Sequence, residues 1–312
     1  MEELKHIPVM LEECMQGLSL KDGGTYFDGT LGGAGHSYEI LKRTSPNGKL
    51  FATDLDTDSI ERAKKKLQPF EGRFTIVNDN FKNYRKVLDD YGIDGFDGVL
   101  LDFGMSSFQI DDKSRGFSYL AIDEPLDMRM DKSADFSARD VINGYSESAI
   151  AKILFDYGEE KFACKIASEI VRARKIKPVE TCGELVELID GAIPRKFKNN
   201  GHPAKKTFQA IRIEVNGELE NLYETVVGLT RSLKKGGRIA ILTFHSLEDR
   251  IVKNAFRELE KDCICDKSLP ICVCGKKKEI NIITKHPVTA TEEELEVNSR
   301  SRSAKLRIAE KI

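Results

Sequence analysis

Short β-branched and aromatic runs alternate with helix-period stretches over the first hundred residues. Strand-like runs fall at 24–28, 49–54, 73–77 and 97–102, and helical stretches at 37–43, 57–68 and 81–91. Alternation of this kind predicts parallel βαβ units. From 110 to 210 the pattern changes. Helical periodicity continues over 147–156, 159–174 and 182–193, and no convincing strand appears. Alternation resumes with a helix near 214–234, then Gly236-Gly237 and the apolar run 238–244. The simplest account is a doubly wound α/β sheet interrupted by a helical domain. The sheet domain is expected to comprise 1–109 and 208–312, and the inserted helical domain 110–207. In open α/β sheets ligands bind at the carboxyl ends of the strands. An insert leaving the fourth strand is therefore expected to overhang such a site.

Composition narrows this picture. The 312 residues are 40% hydrophobic and 32% charged, as in a water-soluble globular protein. No apolar run approaches a membrane span and no charged-then-apolar leader opens the chain, which points to the cytoplasm and to no membrane partner. Seven cysteines, an odd number, do not suggest a disulfide framework. The net charge is only −2, yet residues 161–212 carry 12 Lys/Arg against 5 Asp/Glu. A local basic region on a near-neutral protein suggests a polyanionic substrate.

The most informative run is 28–36, Asp-Gly-Thr-Leu-Gly-Gly-Ala-Gly-His. It follows the strand-like Thr25-Tyr26-Phe27 and precedes a helix, the layout of a nucleotide-binding first crossover. A dinucleotide loop would read G-x-G-x-x-G. Here Thr30 stands at the first glycine and Ala34 at the third, closer to the loop of enzymes that bind S-adenosylmethionine (SAM). That cofactor has no pyrophosphate, so the glycines would serve close approach to its methionine moiety. The second strand ends in Asp54, placed to pair with ribose hydroxyls. The third ends Asn78-Asp79-Asn80-Phe81, where a polar group could meet the adenine amine and Phe81 could pack on its face or simply be core. The fourth ends at Asp102, a carboxylate facing the ligand crevice.

The motifs then become specific. The chain contains Asp102-Phe-Gly-Met-Ser-Ser107, Pro125-Leu-Asp-Met-Arg-Met130 and His202-Pro-Ala-Lys-Lys-Thr-Phe-Gln-Ala-Ile-Arg212. It also contains Val215-Asn-Gly-Glu-Leu219, Thr243-Phe-His-Ser-Leu-Glu-Asp-Arg250 and Ser301-Arg-Ser-Ala-Lys-Leu-Arg307. This ordered set closely resembles the bacterial small-subunit ribosomal RNA cytosine-N4 methyltransferases, the RsmH (MraW) family, nearly end to end from His6-Ile-Pro-Val-Met10. The resemblance implies a class I, Rossmann-like methyltransferase fold with a mostly parallel seven-stranded sheet. It implies SAM as methyl donor and, as substrate, the N4 amine of a cytidine in the decoding region of 16S rRNA. Carried over by position, the cofactor contacts are Ala34, Gly35, His36, Asp54, Phe81, Asp102 and Gln109. Of these, His36 and Gln109 rest on the resemblance alone.

The exocyclic amine of cytosine is a weak nucleophile, because its lone pair delocalises into the ring. A hydrogen-bond acceptor on its protons would localise that pair. Asp102, or a carbonyl near Phe103-Gly104, is the candidate. Phe103-Gly104-Met105 departs from the Pro-Pro-aromatic run of many amine methyltransferases, so their pocket geometry does not carry over. His245 is a weaker catalytic candidate, since Ser246 and Asp249 resemble a capping box that opens a helix. Candidate RNA contacts are Arg172, Arg174, Lys175 and Lys177, plus Arg195, Lys196, Lys198, Lys205 and Lys206 in the stretch 195–206. Solvated helix faces are the competing account. Arg129 is read as a buttress of the active site.

Cys263-Ile-Cys265 and Cys272-Val-Cys274 form a C-x-C…C-x-C set that four-coordinate zinc could use. Free thiols, an unimportant surface loop and a redox pair compete with that reading. Two other functional readings stand beside RNA methylation. A non-catalytic RNA-binding assembly factor is opposed by the intact loop, Asp54 and Asp102. A nicotinamide oxidoreductase is opposed by the missing G-x-G-x-x-G. The partner would be 16S rRNA, free or within the small subunit or a late precursor. Monomer and homodimer both remain open.

Overall fold

The computed structural model describes residues 7–198, 201–266 and 271–312. Two compact units divide the chain: Met1–Gly104 with Asn221–Ile312, and Met105–Glu220.

The first unit is built on a seven-stranded sheet. Its strands are β1 (Thr25–Asp28), β2 (Lys49–Asp54), β3 (Phe74–Asn78), β4 (Phe96–Asp102), β5 (Leu233–Thr243), β6 (Ile280–Ile282) and β7 (Lys305–Lys311). Their order is β3-β2-β1-β4-β5-β7-β6. The first five are parallel, and β7 runs antiparallel to both β5 and β6. This is the mostly parallel, Rossmann-like arrangement that the sequence resemblance implied. The order reverses between β1 and β4, which creates a crevice at their carboxyl ends.

Burial explains why these strands read as apolar runs. Leu50, Ala52, Leu100, Ala240 and Leu242 join Cys14, Leu18, Ile40, Leu41, Ala63 and Leu67 in one core cluster. These strand residues point to the face covered by the helices Leu11–Leu18, Gly35–Arg43 and Thr57–Leu67. Their neighbours Phe51, Val99, Leu101, Ile239 and Ile241 are also buried, and the two-residue period puts them on the opposite face.

The second unit is helical, with Ala138–Gly144, Glu147–Asp156, Ala163–Arg174, Cys182–Ala192 and Lys205–Asn216 as its main helices. They enclose a separate core that includes Val141, Ile150, Leu154, Ile166, Ile170, Leu185, Ile189, Phe208 and Ile211. The expected boundary at residue 207 would cut the helix Lys205–Asn216. That helix is continuous and buries Phe208, Ala210 and Ile211 in this core, so residues 208–220 belong with the helices.

Three expected elements differ. The helix expected near 214–234 is two helices, Lys205–Asn216 and Leu222–Arg231. The first ends on Gly217 at φ +55, the left-handed conformation of a helix C-terminal glycine, and the second starts after Asn221 at φ +52. The helix expected from 159 begins at Ala163, because Glu159 sits at φ +48. The helix expected over 81–91 opens with a 3-10 turn, Phe81–Asn83, before Tyr84–Asp90.

Asp249 also has a different role from the cap expected of it. Its carboxylate accepts from Arg307 Nε at 2.6 Å and Nη2 at 3.2 Å, and both residues are buried. This pair joins the helix Ser246–Glu260 to β7. Asp249→Ala leaves the guanidinium uncompensated and is expected to destabilise the protein by about 3–5 kcal/mol. Lys305→Ala, which removes a half-exposed partner 3.8 Å from Asp249, is expected to cost less than about 1 kcal/mol. Urea unfolding of the two variants at neutral pH tests the ranking, and equal losses would refute it.

Candidate functional site

The site begins at the buried carboxylate that ends β1. Asp28 Oδ2 accepts from Ser37 Oγ at 2.6 Å, and Oδ1 accepts from Thr30 N at 3.1 Å. The turn between them is tied to both neighbouring strands. Gly29 N donates to Leu100 O at 3.0 Å, Leu31 N to Thr53 O at 3.1 Å, and Thr53 Oγ1 to Gly29 O at 2.9 Å. Ala34 stands at φ +54 just before the helix Gly35–Arg43. A Cβ on Gly35 would lie 2.2 Å from Pro8 Cγ. The close approach that this glycine permits is thus to the chain itself, a packing role not expected from the motif.

β2 delivers Asp54 to the same turn. Its Oδ2 accepts from Gly32 N at 2.7 Å and its Oδ1 from Asp56 N at 2.8 Å. Phe81, after β3, stacks on Phe103 with centroids 5.7 Å apart. Asp79 Oδ1 is held locally by Asn80 N and Asn83 Nδ2, each at 2.7 Å.

β4 delivers Asp102. Its backbone N–H donates to Thr30 Oγ1 at 2.6 Å. Its side chain is about a quarter exposed, yet Oδ1 is fully buried and has no hydrogen-bond partner among the described residues. Oδ2 lies 3.8 Å from His36 Nδ1, and His36 Nε2 lies 3.0 Å from Val9 O. The chain leaves β4 through Gly104 at φ +93, a conformation that favours glycine.

Burial dominates the electrostatics. It pushes the Asp102 carboxyl up to about 8, reinforced by the charges of Asp28 and Glu248. It pushes Asp28 up to about 6 against the hydrogen bonds from Ser37 and Thr30. Burial likewise raises Asp54, against backbone N–H donors led by Asp56. Three desolvated carboxylates at the ends of β1, β2 and β4 favour a ligand that brings positive charge or hydrogen-bond donors.

Gln109 lies in the helical unit. Its Oε1 accepts from Ser106 N at 3.0 Å in a capping box that opens the helix Ser107–Asp111. Arg129 braces its own loop, with Nη2 donating to Asp127 Oδ2 at 2.6 Å and Nη1 to the Ala134 carbonyl.

The candidate RNA cations separate by what they touch. Arg174 is half-buried and donates to the carbonyls of Ile142 and Tyr145, so its guanidinium serves the fold. Arg172 pairs with Glu169, Lys177 with Glu184 at 2.6 Å, and Lys198 with Asp190 at 2.7 Å. Lys206 Nζ donates to Glu159 O at 2.9 Å. Lys196 lies over the Phe197 ring at 5.0 Å. Lys175, Arg195 and Lys205 are exposed.

His245 is the N-cap of the helix Ser246–Glu260, and Glu248 completes the capping box. The box expected at Ser246 and Asp249 is therefore one residue earlier. Glu248 Oε2 accepts from Phe244 N at 2.8 Å and His245 N at 3.3 Å. The Sγ atoms of Cys263, Cys265, Cys272 and Cys274 all lie within 4.8 Å of one another.

The profile of the MraW methylase family matches residues 3–312. The chain belongs to that family. A relative named "Ribosomal RNA small subunit methyltransferase H", from Clostridium botulinum strain Kyoto, is 54% identical over 310 residues, covering 99% of this chain and 100% of that protein. Proteins of the same name from Clostridioides difficile strain 630 and Finegoldia magna are each 52% identical over 311 and 312 residues. These matches cover 99% of this chain, with 100% of the first protein and 99% of the second.

In this MraW methylase, the sequence motifs had not singled out Thr30, Ser37 or Val9 as site residues. Thr30 carried a signal, a hydroxyl where a glycine might stand. Val9 acts through its carbonyl, which no side-chain pattern reveals.

A carboxyl raised in the folded state binds its proton between about pH 4 and about 8, so native stability falls as pH rises through that window. Asp102→Asn is expected to stabilise the ligand-free protein, by an amount that grows from near zero at acid pH to a few kcal/mol at about pH 8. Urea unfolding across that range measures it. A constant offset at all pH values would show that Asp102 titrates normally.

Proposed function

We propose that the chain transfers a methyl group from SAM to the exocyclic N4 amine of a cytidine in 16S ribosomal RNA of the small subunit. The observation that carries this reading is the desolvated Asp102 carboxyl beside His36, at the carboxyl end of β4 and adjoining the glycine-rich turn. The name of the relatives supplies the RNA class. The decoding-region cytidine comes from the sequence resemblance.

The residues fit SAM on chemical grounds. Asp54 can accept from ribose hydroxyls with lone pairs that Gly32 and Asp56 leave open. Phe81, half-buried against Phe103, offers an apolar surface to adenine. Ala34, Gly35 and His36 begin the helix at the turn, where the methionine moiety would lie, and Gln109 is the further contact carried over by position. Buried carboxylates compensate a sulfonium and an ammonium. When bound, SAM supplies an electrophilic methyl on a positively charged sulfur.

Asp102 then has two tasks. As a carboxylate, it accepts a hydrogen bond from the cytosine amine and localises the nitrogen lone pair. With a pKa near neutrality, it can also take the proton that the methylated amine loses. His36, whose Nε2 is held by Val9 O, sets its Nδ1 3.8 Å from the other oxygen.

RNA engagement falls to the helical unit. Exposed apolar side chains sit within its basic runs: Ile176 is 88% exposed between Lys175 and Lys177, and Phe197 is 53% exposed between Lys196 and Lys198. Phosphate-binding cations interleaved with stacking surfaces suit single-stranded nucleic acid.

Small subunits from a strain lacking the enzyme, incubated with the protein and labelled SAM, are expected to gain one methyl on N4 of one cytidine, read by digestion and mass spectrometry. Methylation of another atom, or RNA binding without SAM binding, overturns the proposal. Asp102→Ala is expected to lower single-turnover rate by about 100-fold or more, and unchanged turnover would remove its role. Asp54→Ala is expected to weaken SAM binding by about tenfold in calorimetry, as loss of a hydrogen bond to a charged acceptor does. Neutralising Lys205 and Lys206 is expected to flatten the dependence of log affinity on log salt by about one to two units. An unchanged slope would place those lysines off the RNA.

A further inference from the structure

The four late cysteines lie between the helix Ser246–Glu260 and the edge strand β6, and methyl transfer assigns them no task. Four of their Sγ–Sγ separations are 3.5 Å (Cys263 to Cys272, Cys272 to Cys274) and 3.9 Å (Cys265 to Cys272, Cys274 to Cys263). A metal bound tetrahedrally by sulfur at about 2.3 Å requires sulfur–sulfur edges of about 3.8 Å. A disulfide instead draws two sulfurs to about 2.05 Å, and two disulfides would divide the set into pairs. All four are free thiols here. We propose that Cys263, Cys265, Cys272 and Cys274 form a closed structural zinc site with four thiolate ligands.

The surrounding backbone suits thiolates. Cys265 N donates to Cys263 Sγ at 3.4 Å, Val273 N to Cys265 Sγ at 3.3 Å, and Ile264 N to Cys274 Sγ at 3.5 Å. Such N–H groups orient the ligands and share the excess negative charge of a metal held by four sulfurs. Lysines at 276, 277 and 278 follow directly.

The segment also needs a cross-link. Its described apolar residues are exposed: Ile264 is 58% exposed, Ile271 75% and Val273 77%. Hydrophobic burial therefore does little to order it, the situation in which small modules use metal. Beyond the site, Lys276 pairs with Glu258 at 3.2 Å and Glu279 N donates to Leu259 O at 2.9 Å. The metal would close a loop whose two ends already meet the same helix, and so fix the approach to β6. Binding Zn²⁺ releases the thiol protons and needs no oxidant.

The full-length protein, purified under reducing conditions without added metal, is expected to contain about one zinc per chain by elemental analysis. Demetallated protein titrated with Co²⁺ alone is expected to show intense thiolate-to-cobalt charge transfer and the visible bands of a tetrahedral site, saturating at one equivalent. Cys272→Ser and Cys274→Ser are expected to lose the metal and to be cut by protease between 261 and 279. Cys164→Ser, an exposed cysteine of the other unit, is expected to keep the metal and resist cleavage. Three results overturn the proposal: wild-type protein that takes up neither metal after reduction, iron in place of zinc, or disulfides among the four cysteines in freshly isolated protein. The cobalt spectrum of the wild type keeps the test decisive should the serine variants fold poorly. None of these readouts depends on methyl transfer.

Discussion

Asp28 holds the carboxyl end of the central strands together. One carboxylate joins a strand end, a turn and a helix start, through Thr30 N and Ser37 Oγ. The bond to Thr30 also positions its hydroxyl, which receives the N–H of Asp102 from the adjacent strand. Two acidic strand ends are thereby held side by side, Asp28 buried and Asp102 with one buried oxygen. Repulsion from Asp28 and desolvation resist the ionisation of Asp102, and positive charge or hydrogen-bond donors nearby would offset both. Stability at this edge is given up where chemistry would use it, a common association of strain with function.

Much of this was legible in the sequence because it depends on local pattern. The four strand-like runs ending at Asp28, Asp54, Val77 and Asp102 lie within a residue of β1–β4, and the largely buried β1, β2 and β4 appear as apolar runs. Asp54 and Asp102 could be singled out because acidic residues at strand ends have few inexpensive structural uses. What escaped the sequence is tertiary. Gly35, read as room for a ligand, also makes room for Pro8. Arg174 counted toward a basic surface and is consumed by two carbonyls. Asp249 looked like a cap and is half of a buried ion pair with a strand 58 residues away. Charge and spacing cannot reveal partners at that separation.

The helical unit shows why family motifs need not be catalytic. Met128, inside the run 125–130, is buried at φ +61, an uncommon conformation for a side chain of its size. Asn216 holds it there: Nδ2 donates to Met128 O and Oδ1 accepts from Met130 N, each at 2.7 Å. Arg212, four residues before Asn216, and Glu218, two residues after it, form a largely buried pair at 2.8 Å across the helix end. Two motifs nearly ninety residues apart are thus one structural joint. Both motifs therefore serve the backbone geometry of this joint.

The antiparallel β7 carries a consequence for how the molecule is made. Among the described strands β6 pairs with β7, and β7 is synthesised later. β5 likewise emerges only after the whole helical unit, although it must lie against β4. The continuous helical unit can therefore close on the ribosome while β1–β4 still present an open edge at β4. Completion of the sheet waits for two long-range pairings, which are slow to form and leave an unpaired strand edge meanwhile. The last strand made, β7, is thus the one that completes the pairing of both β5 and β6.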